Sequence, residues 1–246
     1  MNLLSKWCEW PWKFVVYLIG AASLAFLIAS WPALSDVERI AWILVVGIAA
    51  HVFEENTFPG GFFYQNNLGF GSKEPLVYPQ NRLTNMVTNL GAEIVFVLIA
   101  VNANSLGAAV VTVAVFFGIT ELVNHTRQGL IMHKRLKTEG KKSIYGPGEL
   151  TSLLILFPNA LWGMVWLCTN PFTWLKVLAG LGICVGIAVC LILVPFAMNL
   201  RIKSRRFAFH DAGYYSAFAV AGDSKRRCDS LDEFDWFTRS QDQLAM

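Results

Sequence analysis

Hydrophobic residues in this chain form long runs separated by short polar segments, and they do not alternate with polar residues as in a half-buried strand. Six runs approach the roughly 20 residues that a helix needs to cross a hydrocarbon core about 30 Å thick. They cover approximately residues 14–31, 40–55, 83–101, 106–125, 149–168 and 172–198. The pattern predicts an all-α fold, a polytopic membrane bundle of about six transmembrane helices.

Composition narrows the class of protein further. Of the 246 residues, 55% are hydrophobic and 15% are charged, whereas a soluble domain carries about 25% charged residues. This speaks against a disordered chain and against a nucleic-acid partner. The five cysteines include no C-x-x-C pair, so we expect small buried hydrophobic residues rather than disulfides.

Lysine and arginine are distributed unevenly between the two sides of a six-span bundle. One side receives both termini and the segments at about 56–82 and 126–148, which together hold 18 of the 20 basic residues. The positive-inside rule then places both termini in the cytoplasm. We expect a transmembrane domain over residues 1–200 and a partly disordered cytoplasmic tail over 201–246, basic first and acidic later. The basic part is expected to lie on anionic lipid headgroups.

Ionisable residues occur inside the predicted spans, where they are costly and indicate function. His51, Glu54 and Glu55 share one face of the second span, and Glu121 and His125 share one face of the fourth. The helical rise per residue places all five between the midplane and the cytoplasmic boundary of the membrane.

A second polar stripe lies on the third span, where Asn85, Asn89 and Glu93 repeat every four residues. The same rise places Glu93 about 15 Å from the cytoplasmic side. On the fourth span, Asn124 precedes His125. We expect these groups to point inward and to converge on one site, with Asn89 and Asn124 in supporting positions.

The four glutamates of these spans have no lysine or arginine within the spans to balance their charge. Either raised pKa values keep some of them protonated, or they bind cations. Imidazole and carboxylate ligands suit zinc, iron or manganese. The ligands expected for such a divalent metal are His51, Glu54, Glu121 and His125. Glu55 or Glu93 is expected to act as a general base.

The stretch His51-Val52-Phe53-Glu54-Glu55 resembles the signature of the HXXEE-domain family of membrane proteins. Asn124-His125 resembles the family's Asn/His position on a later helix. Tyr145-Gly146-Pro147-Gly148, followed by Thr151 and Pro158, resembles its Tyr-x-Pro-Gly segment, with Gly146 where Asn is expected. The resemblance covers about residues 40–166. It implies a multi-helix membrane protein suspected of metal-dependent enzymatic activity, with no established reaction.

Two residues near the fifth span complete the predicted site. The turn after Tyr145 places this residue at the mouth of the cluster, where its hydroxyl can donate to a substrate oxygen or anchor the chain among the headgroups. Asn159 follows Pro158 about 15 Å deep in the span. It either satisfies the backbone carbonyl that the proline frees or joins the polar cluster.

Three functions are compatible with this pattern. The first is a membrane metalloenzyme, either a hydrolase that acts on a lipid or membrane-interface substrate or a di-metal oxidoreductase. The second is a proton- or cation-coupled transporter, because buried Glu and His residues also relay protons. The third is a membrane scaffold in which the polar contacts are structural.

Overall fold

The structure is a computed structural model that describes residues 3–218, and over this range it is helical without strands. The helices, in chain order, are α1 Leu3–Trp7, α2 Pro11–Ser30, α3 Asp36–Asn56, α4 Phe62–Gly69, α5 Arg82–Val101, α6 Ala103–Leu106, α7 Ala108–Leu136, α8 Glu149–Thr169 and α9 Trp174–Ile202. The predicted all-α class is confirmed. The acidic part of the predicted tail lies outside the described residues.

Five of the described helices are long and apolar enough to cross a membrane: α2, α5, α7, α8 and α9. The chain is therefore a multi-pass membrane protein. The remaining predicted span corresponds to α3, whose 21 residues extend over about 32 Å at the α-helical rise. It is less apolar because charged residues stand at both of its ends, with Asp36 at the start and Glu55 near the close.

Helix α3 lies at the centre of the bundle and packs against α2, α5, α7 and α8. Ser35 starts it with a capping box, accepting from the backbone N–H of Glu38 while the Glu38 carboxylate accepts from that of Ser35. Small residues bring α2 close, since a Cβ atom at Gly20 would lie 2.2 Å from the Cβ of Ala49. This central position buries the second half of α3, which carries the HXXEE motif.

Two prolines inside spanning helices are each preceded by a π-helical segment. In α8, Ser152–Leu156 is π-helical and Pro158 follows; in α9, Ala188–Leu193 is π-helical and Pro195 follows. Proline lacks an N–H group and its ring clashes with the carbonyl four residues earlier, so the preceding turn widens. The first of these widened turns directly follows Thr151, which belongs to the candidate site.

Both ends of the described chain lie on the same face of the bundle. The Arg206 guanidinium donates to Ser5 Oγ at 3.2 Å, and His210 Nε2 lies 3.1 Å from Glu9 Oε2. Arg82, at the start of α5, donates to the carbonyl of Ala208. We call this the basic face; it also carries residues 57–81 and 137–148. Which compartment it meets remains a prediction from the lysine and arginine distribution.

Helix α7 is longer than its apolar pattern predicts. The predicted span ends near His125, whereas the helix continues to Leu136. The added residues are mostly polar helix formers, and they project beyond the apolar region. Gln128 and Met132 among them are buried under α4 and under the chain that follows α9. The structure therefore gives the site a helical wall where the sequence predicts a loop.

Candidate metal centre

Four side chains from α3 and α7 meet near the basic face. Each helix supplies a pair four residues apart, so that both members project from one face: His51 and Glu55 from α3, Glu121 and His125 from α7. His51 Nε2 lies 3.3 Å from Glu55 Oε1 and 3.7 Å from Glu121 Oε2. His125 Nε2 lies 3.3 Å and 3.4 Å from the same two oxygens. We call these four residues the His/Glu cluster.

These separations are close to those of ligands around a tetrahedral metal ion. Metal–nitrogen and metal–oxygen bonds of about 2.0–2.1 Å give a tetrahedron with edges of about 3.3–3.4 Å. Neither nitrogen of His125 has a hydrogen-bond partner among the described residues, although Nε2 faces two carboxylate oxygens. One ligand atom each from His51, Glu121 and His125 can be chosen so that all lie within 4.8 Å of one another. The group formed by His51, Glu121 and His125 could therefore hold a metal ion.

The cluster is buried and rich in negative charge. The side chains of His51, Glu55 and His125 are at most 6% exposed, whereas that of Glu121 is 21% exposed. No lysine or arginine of the described residues forms an ion pair with either carboxylate. A buried carboxylate pair is costly unless protons or a cation compensate it.

Glu54 is not part of the cluster, although the sequence predicts it as a metal ligand. Its carboxylate accepts from the backbone N–H groups of Leu150 at 3.1 Å and Thr151 at 2.8 Å, at the start of α8. The first N–H groups of a helix have no partner within it and attract negative charge. Glu54 therefore caps α8 from α3, while Glu55, predicted as a separate base, faces both histidines.

Thr151 links this cap to the cluster. Its hydroxyl lies 2.6 Å from Glu54 Oε2 and 2.8 Å from His51 Nδ1. Because the carboxylate accepts the hydroxyl proton, the hydroxyl oxygen accepts from His51 Nδ1–H. Nδ1 then carries the ring proton, and Nε2 presents its lone pair to the cluster. A metal-binding histidine is oriented in this way by a hydrogen bond at its other nitrogen.

The loop between α7 and α8 closes the cluster from the basic face. Tyr145 donates to Glu54 Oε1 at 3.1 Å, so its hydroxyl holds the cap rather than being free for a substrate. Burial and the nearby Glu54 carboxylate raise the pKa of Tyr145, which keeps it protonated as a donor. Lys141 is buried beneath the Tyr214 ring and donates to the Tyr145 carbonyl.

Glycine at position 148 is required by the approach of this loop to His125. Gly148 has a φ of +94°, and a Cβ atom there would lie 2.1 Å from His125 Cε1. The His125 ring also contacts the Phe62 ring of α4, with centroids 4.6 Å apart. The imidazole is thus clamped between two elements, which fixes its plane without a hydrogen bond.

The remaining predicted site residues do not join the cluster. Glu93 is fully buried, and neither of its carboxylate oxygens has a hydrogen-bond partner among the described residues. Asn89 donates to Asn85 on its own helix. Asn159 donates to the carbonyl of Ile40 on α3 at 3.0 Å, instead of serving the carbonyl freed by the proline. Asn124 is half-buried beside the cluster.

Three residues that position the cluster were not predicted as site residues: Thr151, Gly148 and Phe62. The sequence did contain a signal for Thr151, because Gly-Pro-Gly-Glu-Leu-Thr predicts a helix start whose N–H groups need an acceptor. Nothing in the local sequence pairs that helix start with Glu54, which lies about a hundred residues earlier. That pairing depends on how α8 packs against α3.

Residues 42–163 match the family model described as "Protein of unknown function with HXXEE motif". The match confirms the resemblance, and the matched segment contains the whole His/Glu cluster together with Glu54 and Thr151. No curated protein and no solved structure matches the chain significantly.

Proposed function

We propose that the HXXEE domain of this chain is a membrane-embedded metalloenzyme with one divalent metal ion bound by the His/Glu cluster. The observation that carries the proposal is the set of four nitrogen–oxygen distances, 3.3 to 3.7 Å, between two imidazoles and two carboxylates. Ordinary N–H···O hydrogen bonds are shorter, about 2.7–3.2 Å, whereas ligands of a tetrahedral metal ion stand about this far apart.

The charge of the His/Glu cluster also supports one bound divalent ion. Two neutral imidazoles and two carboxylates carry a charge of about −2, which one divalent cation neutralises. The hydrogen bond from His51 to Thr151 leaves His51 Nε2 as a lone-pair donor. The ligand set suits zinc, iron or manganese.

A single ion fits better than the predicted di-metal alternative. Di-metal carboxylate bundles use four carboxylates and two histidines. Here Glu54 already accepts three protein hydrogen bonds at α8 and a fourth from Tyr145, and Glu93 makes no contact with the cluster among those that the structure describes. Of the four glutamates predicted for the site, Glu55 and Glu121 remain as acidic ligands.

A bound divalent metal supplies Lewis-acid chemistry and lowers the pKa of water bound to it to about 7. The chain's own residues orient the reaction. Four protein ligands fill a tetrahedral shell, so Glu121, the most exposed member of the cluster, would have to leave the ion to accept or return a proton at its carboxylate. Glu54 and Thr151 hold His51 in one tautomer. We propose hydrolysis of an ester or amide as the reaction, since a hydrolase is one of the two enzyme classes that the sequence leaves open.

Metal analysis of the purified protein tests the proposal. After growth with zinc, iron or manganese, the wild-type protein is expected to retain about one ion per chain, and His51→Ala and Glu121→Gln are expected to lose it. His133→Ala, outside the cluster on the same helix as Glu121, and Glu93→Gln are matched controls that should keep the ion. Equal, near-zero metal in wild type and His51→Ala contradicts the proposal and favours a structural polar cluster, as in a scaffold.

Proton- or cation-coupled transport is the second candidate, and Glu93 is the observation that favours it. A fully buried carboxyl group that has no hydrogen-bond partner among residues 3–218 is a candidate proton carrier in a membrane. Proton flux into proteoliposomes that is abolished by Glu93→Gln and unaffected by His51→Ala supports transport. Flux that is absent in wild type excludes proton-coupled transport.

A further inference from the structure

Helix α7 changes its surroundings halfway along its length. Its first seven residues, 108–114, are all buried, whereas Phe116, Thr120, Val123, Arg127 and Leu130 are exposed. These exposed positions share one face of the helix. Other helices therefore cover this side of α7 in its first half, away from the basic face. They leave it uncovered in the second half, which carries Glu121 and His125.

The course of α9 explains this change. Near its start α9 touches the covered half of α7, where a Cβ atom at Gly180 would lie 2.5 Å from the Ala109 carbonyl oxygen. In its π-helical segment α9 instead contacts α5, because Thr88 donates to the Leu191 carbonyl at 2.6 Å. As α9 moves to α5, it leaves α7 and exposes a strip of α7 beside α5.

Glu121 lies at the level of this strip but about 100° round the helix from Thr120. Glu121 projects towards the inside of the bundle. Half-buried Asn124 lies between Glu121 and the exposed strip on the helical wheel. Glu121 is also the cluster residue with the largest exposed fraction, 21% against at most 6% for the other three. Phe117 lies one turn before Glu121 on the same side of α7 and contacts Phe96 of α5, so the accessible side of the cluster is inferred to be the side towards α5.

Two contacts bound the space between α5 and α7, one on either side of Glu121 along the helix axis. Towards the opposite face, the rings of Phe96 and Phe117 pack with centroids 5.1 Å apart, about one turn from Glu121. Towards the basic face, α4 lies against α7 so closely that a Cβ atom at Gly69 would lie 2.4 Å from Gln128 Oε1. An opening between these two contacts would point sideways, with Phe116, Thr120 and Val123 beside it and Arg127 towards the basic face.

We propose that the metal centre opens laterally into the bilayer between α5 and α7, and that its substrate is a membrane-dissolved amphiphile with a hydrocarbon chain and one ester or amide group. The chain lies along the exposed strip of α7, and the carbonyl group reaches past Asn124 to Glu121. The choice of substrate rests on the proposed metal function, whereas the position of the opening does not.

Spin labelling tests the opening without requiring a metal. A nitroxide is attached at Asn124→Cys in a cysteine-free protein in vesicles, and its collisions with oxygen and with a water-soluble nickel chelate are compared. We expect oxygen to dominate, as at the lipid-facing control Val165→Cys on α8. Dominance of the nickel chelate, as at the exposed control Lys137→Cys, means that the site opens to water and overturns the proposal.

Ligand binding tests the substrate class. In cobalt-loaded protein, dodecyl hydroxamate is expected to change the cobalt absorption at concentrations at least about tenfold below those of acetohydroxamate, since the long chain partitions into the bilayer. Asn124→Trp should weaken or slow dodecyl hydroxamate binding about tenfold, whereas Leu154→Trp, on the exposed side of α8, should not. Equal potency of both hydroxamates, or no effect of Asn124→Trp, overturns the substrate class.

Failure of this inference differs from failure of the proposed function. A protein without bound metal refutes the function and, with it, the amphiphile as a substrate, while the nitroxide at position 124 still decides where the cavity opens. A metal-loaded protein with a water-exposed label keeps the function and refutes the lateral opening.

Discussion

One hydroxyl group, that of Thr151, joins the cap of α8 to the candidate metal ligand His51. It donates to Glu54 and accepts from the imidazole, so it fixes both the ring orientation and the tautomer. Partners of this kind at the second nitrogen typically contribute 10- to 100-fold to metal affinity. The threonine matters to the site although it touches no metal ligand atom.

Replacing Thr151 therefore tests whether its hydroxyl oxygen orients His51 for metal binding. Thr151→Val keeps the shape and removes the hydroxyl, and we expect roughly 10- to 100-fold weaker metal binding in competition with a chelator. Thr151→Ser retains the hydroxyl and should bind within about threefold of wild type. Unchanged affinity in Thr151→Val would mean that the imidazole is oriented by packing alone.

Two glycines with the same backbone conformation allow the effect of a steric contact with His125 to be distinguished from the effect of backbone strain. Gly148 and Gly140 have φ values of +94° and +95°, but only a Cβ atom at Gly148 would meet His125; nothing lies within 4 Å of one at Gly140. Both alanine variants carry a strain of about 1–2 kcal/mol. We expect Gly148→Ala to lose bound metal and Gly140→Ala to keep it, as measured by elemental analysis of folded protein. Metal loss in both would assign the effect to strain.

Part of the site follows from helical spacing alone. His51 with Glu55, and Glu121 with His125, are pairs four residues apart, and each pair stays together in the structure. The rotation of α3 decides that Glu54 faces α8 while Glu55 faces the histidines. Adjacent residues differ by about 100° on a helix, and only packing against a second helix determines which of the two points at the cluster.

At the scale of elements, the contact between α7 and the π-helical segment of α8 holds the site together. A Cβ atom at Gly118 would lie 2.4 Å from the carbonyl oxygen of Leu156, which is backbone and cannot rotate away. Since Gly118 precedes Glu121 by one turn, separation of the two helices here would also move the cluster.

Gly118→Ala is expected to lower the free energy of unfolding by about 1–3 kcal/mol, the usual cost of overpacking a close contact. Gly182→Ala on α9 is the matched control, because nothing lies within 4 Å of its added methyl group and alanine is the better helix former. Unfolding in detergent, followed by the loss of helical circular dichroism, measures both. A Gly118→Ala protein as stable as the control would show that α7 and α8 adapt without cost.

Helix positions were largely predictable because long apolar runs and proline or glycine breaks mark them. The extension of α7 to Leu136 was not, since polar helix formers give no apolar signal. Helix α4 was also missed: its residues lie in the segment predicted as a loop, where Phe62 nevertheless packs on His125. Elements that cover a site from outside the membrane leave little hydrophobic pattern in the sequence.

For the whole molecule, charge and fold give the same topology by independent routes. The uneven lysine and arginine distribution predicts both termini on one side, and the contacts of Arg206 with Ser5 and of His210 with Glu9 place residues near both described ends on one face. The depth estimate also brought α3 and α7 to the same level. It did not separate Glu93 from the cluster, because depth along a helix says nothing about the direction in which a side chain points.

Cysteine accessibility in intact cells decides which compartment the basic face meets. We expect a membrane-impermeant maleimide to label Thr173→Cys and Asn102→Cys, which are exposed on the opposite face, in a cysteine-free background. Lys73→Cys and Lys142→Cys, exposed on the basic face, should react only after the membrane is permeabilised, because the side rich in lysine and arginine is retained in the cytoplasm. The reverse labelling pattern would invert the topology and place the candidate metal centre near the outer surface, and labelling of both sets in intact cells would refute a fixed orientation.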